Sequence, residues 1–155
     1  MRIISNSAGH TLQLGARIGR SLNKGDIVCL IGDLGSGKTV FAKGIARGLG
    51  IDNADVVSPT FILMRQYDGR LAMYHFDLYR LEDVSQISDL GYEEYFFGGG
   101  VAVVEWADKL GGLSPKACLR VELKVSGKQK REIRITAKGA QYKKALESIN
   151  EDTGD

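Results

Sequence analysis

Gly32-Asp33-Leu34-Gly35-Ser36-Gly37-Lys38-Thr39 fits the phosphate-loop pattern of Gly, four free positions, Gly, Lys and then Ser or Thr. The glycines remove Cβ atoms, so the backbone can turn tightly and several N–H groups can converge on one anion. Lys38 then adds a point charge for the β- and γ-phosphates, and the Thr39 hydroxyl is placed to ligate a Mg²⁺ that shares the phosphate oxygens. The flanks agree. Ile27-Val28-Cys29-Leu30-Ile31 is an apolar run rich in β-branched residues, as expected of a strand buried on both faces. After the loop, Phe41, Ile45 and Leu49 recur at helical spacing before the stretch ends on Gly50.

With 155 residues the chain is the size of one domain, so residues 1–155 are read as a single phosphate-loop ATPase domain with a frayed tail from about Glu151. Hydrophobic content of 43% and charged content of 26% are ordinary for a globular protein, and a net charge of +2 is too small to argue for nucleic acid. Cys29 and Cys118 lie far apart without metal-ligand spacing and are read as reduced thiols, which suits a cytoplasm. The N-terminus lacks a signal-peptide run, and no segment approaches membrane-spanning length.

Ahead of the loop strand, Arg2-Ile3-Ile4 reads as a short edge strand. Ser5-Asn6-Ser7 then offers caps for a helix over about Ala8 to Leu22, with Leu12, Ala16 and Gly19 on one side. Asn23-Lys24-Gly25-Asp26 spells the guanine-reading motif of GTPases. It precedes the strand instead of following the loop by most of a domain, so it is read as a turn. Beyond the first helix, Ser58-Pro59-Thr60-Phe61 is a turn-forming segment for which a plain loop is the default. Phe61 to Gln66 and Leu71 to Phe76 flank Tyr67-Asp68-Gly69-Arg70, whose Asp-Gly signals a two-residue hairpin turn and makes the sheet mixed.

Two carboxylates end candidate strands. Alternation puts His75, Asp77 and Tyr79 on one face and Tyr74, Phe76 and Leu78 on the other. Asp77 at the strand end suits a magnesium or a water, with a helix cap or a partner for Arg80 equally open, and its setting on a hairpin is expected to be solvated. Val101-Ala102-Val103-Val104 is the second core strand and ends in Glu105-Trp106, the form of a Walker B element with Glu for the usual Asp. A solvated strand-end Glu or a salt bridge is the structural alternative. Asp108-Lys109-Leu110-Gly111 matches a GTPase switch only literally, since it lies past the strand. Acid-rich residues from Leu81 to Phe97 suggest short helices before Gly98-Gly99-Gly100. Ala117 to Val125 and Lys130 to Thr136 alternate as a hairpin around Ser126-Gly127-Lys128-Gln129, with Leu119, Val121, Leu123 and Val125 on one face. Gln141 to Asn150 forms a terminal helix.

The loop from Gly32 to Thr39, the segment Ser58 to Phe61, the stretch Tyr74 to Leu81 and Val104-Glu105-Trp106, in this order and at these intervals, resemble the bacterial TsaE family, formerly YjeE, of tRNA threonylcarbamoyladenosine biosynthesis ATPases. The match spans nearly the whole chain. The resemblance implies an α/β, P-loop NTPase-like three-layer sandwich whose mixed sheet contains antiparallel hairpins. It also implies work with two partners, TsaD and TsaB, in attaching a threonylcarbamoyl group to N6 of adenosine 37 in tRNAs reading codons that begin with adenine. The chain would touch tRNA only through that complex and would not be the transferase, and its own ATPase would be weak.

By the same resemblance Gly35, Ser36, Gly37, Lys38 and Thr39 hold the phosphates, with Val40 counted among the nucleotide contacts, and Thr39 and Glu105 hold Mg²⁺. Lys38, Asp77 and Glu105 are the implied catalytic residues, and Asp77 lies beside the γ-phosphate. Thr60 sits in a switch-like loop, Trp106 lies near the nucleotide or a partner, and the adenine pocket involves about Asn6 to Thr11 and Arg131. Two other classes compete. A stand-alone small-molecule kinase carries the same loop but adds an arginine-bearing lid and an acceptor pocket. A nucleotide-gated binding module would need no turnover.

Overall fold

The computed structural model describes residues 1–52, 56 and 63–153. Its strands are β1 (Arg2–Ser5), β2 (Ile27–Ile31), β3 (Met64–Asp68), β4 (Ala72–Asp77), β5 (Val101–Glu105), β6 (Cys118–Val125) and β7 (Arg131–Lys138). The helices are α1 (Ala8–Ser21), α2 (Lys38–Gly48), α3 (Ser85–Leu90), α4 (Glu93–Phe96) and α5 (Lys143–Thr153), with 3₁₀ segments at Ala107–Leu113 and Ala140–Tyr142. One seven-stranded sheet runs in the order β1-β7-β6-β2-β5-β4-β3. Strands β6, β2, β5 and β4 are parallel, and antiparallel pairings add β7, β1 and β3. The sheet is therefore mixed, as the hairpin signals require.

Alternation along the central strands sorts side chains into two cores. Val28 and Leu30 of β2 join Val101, Val103, Leu119 and Val121 under Leu14, Ile18, Phe41, Ile45, Ala145 and Ile149 of α1, α2 and α5. Ile27 and Cys29 face the other way and meet Phe76, Ala102 and Val104 with Ile87, Phe96 and Leu110. Helices thus cover both faces, which is why β2 and β5 read as unbroken apolar runs. Each fully buried Leu, Ile, Val or Phe contributes about 1.5–3 kcal/mol against exposure.

Helix α1 begins where expected, with the Ser7 hydroxyl accepting the His10 N–H at 3.0 Å. Its Leu12, Ala16 and Gly19 side meets α2 at backbone contact. A Cβ on Gly15 would stand 2.4 Å from the Phe41 carbonyl oxygen, and one on Gly44 would stand 2.3 Å from that of Leu12. Gly19 and Gly48 are equally tight. The last turn of α1 is closed by the Arg70 guanidinium, which donates to the carbonyls of Gly19 at 3.0 Å and Leu22 at 3.4 Å.

Four details differ from expectation. The β3–β4 connection is not a two-residue turn: Asp68 still pairs with Ala72, so Gly69, Arg70 and Leu71 form the loop. Packing decides this, because Gly69 lies against the Leu49 carbonyl, which accepts the Arg70 N–H at 2.7 Å. Val125, expected to be buried with Leu119, Val121 and Leu123, is 48% exposed because the hairpin has outrun the core there. The terminal helix starts at Lys143 after the 3₁₀ turn and continues to Thr153. Asp77 is buried, for reasons given below. Cys29 and Cys118 are both buried free thiols.

Candidate functional site

The loop between β2 and α2 is shaped by residues that only glycine suits. Gly35 (φ 80°) and Gly37 (φ 104°) take left-handed backbone, and Gly37 caps α2. Lys38, the first residue of α2, folds back over the loop. Its Nζ donates to the Gly32 carbonyl at 2.5 Å and the Asp33 carbonyl at 2.8 Å, with the Ser36 hydroxyl at 3.4 Å. The Trp106 ring lies under it, 4.1 Å from Nζ to the centroid. Burial lowers the Lys38 pKa below its ordinary value, while Glu105 and Asp77 pull it back up.

The parallel register brings the two strand-end carboxylates together. Leu30 lies opposite Glu105 on β2 and β5, and Asp77 lies opposite Glu105 on β4 and β5. Glu105 is 2% exposed; Thr39 donates its hydroxyl to Oε1 at 2.8 Å, and His75 Nε2 lies 2.6 Å from Oε2. Asp77 was expected to be solvated but is only 8% exposed. The reason is that β4 is an interior strand, flanked by β5 and β3, instead of an outer arm of a hairpin. Its Oδ1 accepts the Tyr79 N–H at 3.0 Å. Sequence alternation places His75 on the face of Asp77 and gives no sign of its contact with Glu105.

Two cavities adjoin at the loop. One of about 430 Å³ is lined by Lys38, Thr39, Asp77, Glu105 and Trp106, and also by Leu34, Tyr79 and Arg80. The other, of about 280 Å³, is lined by Ala8, Thr11, Lys128 and Gln129. Gly37, Val40 and Arg131 line both. A groove therefore runs from the carboxylates past the loop to the start of α1, with a volume in the range of small-ligand sites. Arg131 donates to the Gly35 carbonyl at 3.2 Å, which ties the β6–β7 hairpin to the loop. Thr11 hydrogen-bonds Ser5 through its hydroxyl at 2.7 Å, so it shapes the smaller cavity as a fixed wall. Lys128 and Gln129, which the sequence pattern marks only as a turn, line the smaller cavity. Thr60 lies outside the described residues.

The structure thus gathers Lys38, Thr39, Asp77, Glu105, Trp106 and Arg131 around one groove. The family model described as Threonylcarbamoyl adenosine biosynthesis protein TsaE matches residues 5–133. A Treponema pallidum (strain Nichols) protein named tRNA threonylcarbamoyladenosine biosynthesis protein TsaE is 42% identical over 135 residues, 87% of this chain and 99% of that one. A protein of the same name from Bacillus subtilis (strain 168) is 47% identical over 127 residues, 81% of this chain and 78% of that one. The crystal structure of Bacillus subtilis YdiB aligns with a TM-score of 0.85 at 34% identity, over 99% of this chain and 95% of that chain. No helix among the described residues is long and apolar enough to cross a membrane. The chain belongs to the TsaE family of tRNA threonylcarbamoyladenosine biosynthesis proteins.

Proposed function

We propose that this chain is a Mg²⁺-dependent, weakly hydrolysing ATP-binding subunit that supports TsaD–TsaB in forming N6-threonylcarbamoyladenosine at position 37 of tRNAs reading codons that begin with adenine. It would act in the cytoplasm, reach tRNA only through that complex and leave the transfer to its partners. The observation that carries this reading is that Lys38, Thr39 and Glu105, the last two hydrogen-bonded to each other, line a cavity of about 430 Å³ that adjoins a second of about 280 Å³ beside the glycine loop.

The donor set fits a magnesium ion. Thr39 Oγ1 and Glu105 Oε1 are hard oxygen donors 2.8 Å apart, and the described residues hold no cluster of three or more His, Cys, Asp or Glu that would cage a metal without substrate. Mg²⁺ favours such incomplete sites, since it keeps waters and shares phosphate oxygens. When bound it would neutralise charge on the β- and γ-phosphates. Lys38 would bind those oxygens, the loop N–H groups would hold the chain of phosphates, and Asp77 would orient the attacking water. Arg131 and the walls of the smaller cavity would receive the adenosine.

Co-purification with TsaD–TsaB, with and without ATP, tests the reading, together with tRNA modification assayed with ATP and with a non-hydrolysable analogue. ATP should strengthen the association, and the analogue should support assembly without repeated turnover. Association and modification that are indifferent to nucleotide would overturn it.

A further inference from the structure

His75 is a buried imidazole with one job visible in its contacts. Its side chain is fully buried, and Nε2 meets Glu105 Oε2 at 2.6 Å. The other nitrogen, Nδ1, is buried with no hydrogen-bond partner. An unpartnered buried polar atom costs on the order of 1–3 kcal/mol, and a leucine or methionine in that place would avoid the cost. His75 shares its sheet face with Met73 and, across the register, with Val103, both members of the larger core. The surroundings therefore ask for an apolar side chain, and the contact with Glu105 is what the imidazole supplies instead.

We infer that His75 is a positioning residue, which holds the Glu105 carboxylate in the orientation that presents Oε1 to Thr39 and the cation. The inference rests on the proposed Mg·ATP site. With the ring proton on Nε2, His75 donates to Oε2 while Thr39 donates to Oε1, so each oxygen has its own anchor. A carboxylate with one anchor rotates about its terminal torsion, which is soft. With two it presents one oxygen in one place. Groups that orient a metal ligand in this way are worth about 10- to 100-fold in metal affinity.

Two substitutions separate this role from plain packing. His75→Leu keeps the volume and removes the donor, whereas His75→Gln restores a donor N–H at a similar reach. For each full-length variant, ATP affinity is measured by calorimetry across a Mg²⁺ titration and again in EDTA, with the ligand-free melting temperature alongside. His75→Leu should raise the Mg²⁺ concentration at half-effect about 10-fold or more. Its EDTA affinity should stay within about twofold, and His75→Gln should recover most of the shift. An unchanged Mg²⁺ requirement in His75→Leu, an equal loss in EDTA, or a glutamine no better than leucine would overturn the inference. Should His75→Leu fail to fold, His75→Asn, whose donor is too short to reach, is compared with His75→Gln, and equal Mg²⁺ requirements would count against it. A wild-type protein whose ATP binding ignores Mg²⁺ would sink the proposed site first and this inference with it, whereas a Mg²⁺-dependent wild type with indifferent His75 variants sinks the inference alone.

Discussion

Lys38 is held by its own loop: two carbonyls take its ammonium and the Trp106 face covers it. Its charge is partly desolvated, so the folded chain gains little net stability from it. Lys38→Ala is expected to shift the ligand-free melting temperature by no more than about 4 °C, the equivalent of roughly 1 kcal/mol in a chain this long. ATP affinity should fall roughly 10- to 100-fold, because charged hydrogen bonds contribute about 1.5–3 kcal/mol; calorimetry and thermal melts check both. The neighbouring carboxylates should fail differently. Glu105→Gln removes charge from the oxygen pair shared with Thr39, so ATP affinity measured with Mg²⁺ and with EDTA should converge. Asp77→Asn should keep that difference and lose hydrolysis. Reversed outcomes would exchange the two roles. That the loop, Lys38, Thr39 and Glu105 come together was legible, because each belongs to a local motif, Gly32 to Thr39 or Val101 to Glu105. The burial of Asp77 and the His75–Glu105 contact were not, since both depend on which strand lies beside β4.

Helices α1 and α2 touch through glycines at positions 15, 19, 44 and 48, spaced four apart on each helix. The smaller cavity is lined from α1 by Ala8 and Thr11 and from the start of α2 by Gly37 and Val40, so a change in helix spacing is expected to alter it. Gly44→Ala puts a methyl 2.3 Å from the Leu12 carbonyl oxygen, a contact that only helix displacement relieves. The expected cost is about 1–3 kcal/mol of stability by urea unfolding. Nucleotide affinity should weaken as well, although residue 44 lines neither cavity. A stability loss with unchanged affinity would show that the helix spacing and the cavity are independent. Periodicity revealed both helices, yet the depth of their contact did not follow from it, because a glycine in a helix reads only as a weak propensity. The Asp68-Gly69 turn signal was likewise real but outvoted by the Leu49 carbonyl, which lies about twenty residues earlier in the chain.

At the scale of the whole molecule, the α/β class and the mixed sheet were readable from local pattern. The strand order was not, since it joins β1 to β7 and β2 to β6 across most of the chain. One side chain ties the chain's end to the sheet's centre. Tyr142, from the turn before α5, accepts the Ile27 N–H through its hydroxyl at 2.8 Å at the start of β2. Burial pushes its pKa from 10.0 up to about 12. The folded chain therefore keeps a proton that the unfolded chain sheds above pH 10.0, so this contribution is complete below pH 10.0 and is lost as pH rises through about 12. Tyr142→Phe strands the Ile27 N–H and should cost about 1–3 kcal/mol at neutral pH. It should also flatten the decline in stability over that alkaline window, as followed by denaturant midpoints at stepped pH. An unaltered alkaline slope would assign the decline to other groups.

Trp106 is the chain's one tryptophan, and among the described residues it is the one non-glycine with a positive φ, at 59°. Its indole packs against the Lys38 ammonium and lies near the Tyr79 ring, whose centroid is 5.1 Å away, with the Lys109 ammonium 5.7 Å from its own centroid. Ultraviolet emission excited at the red edge of the indole band therefore originates from a single chromophore seated on the phosphate loop. Any ligand that draws the ammonium off the ring alters its quenching, and one that wets the indole moves the band to longer wavelength. The unlabelled protein thus carries its own optical titration signal for the groove.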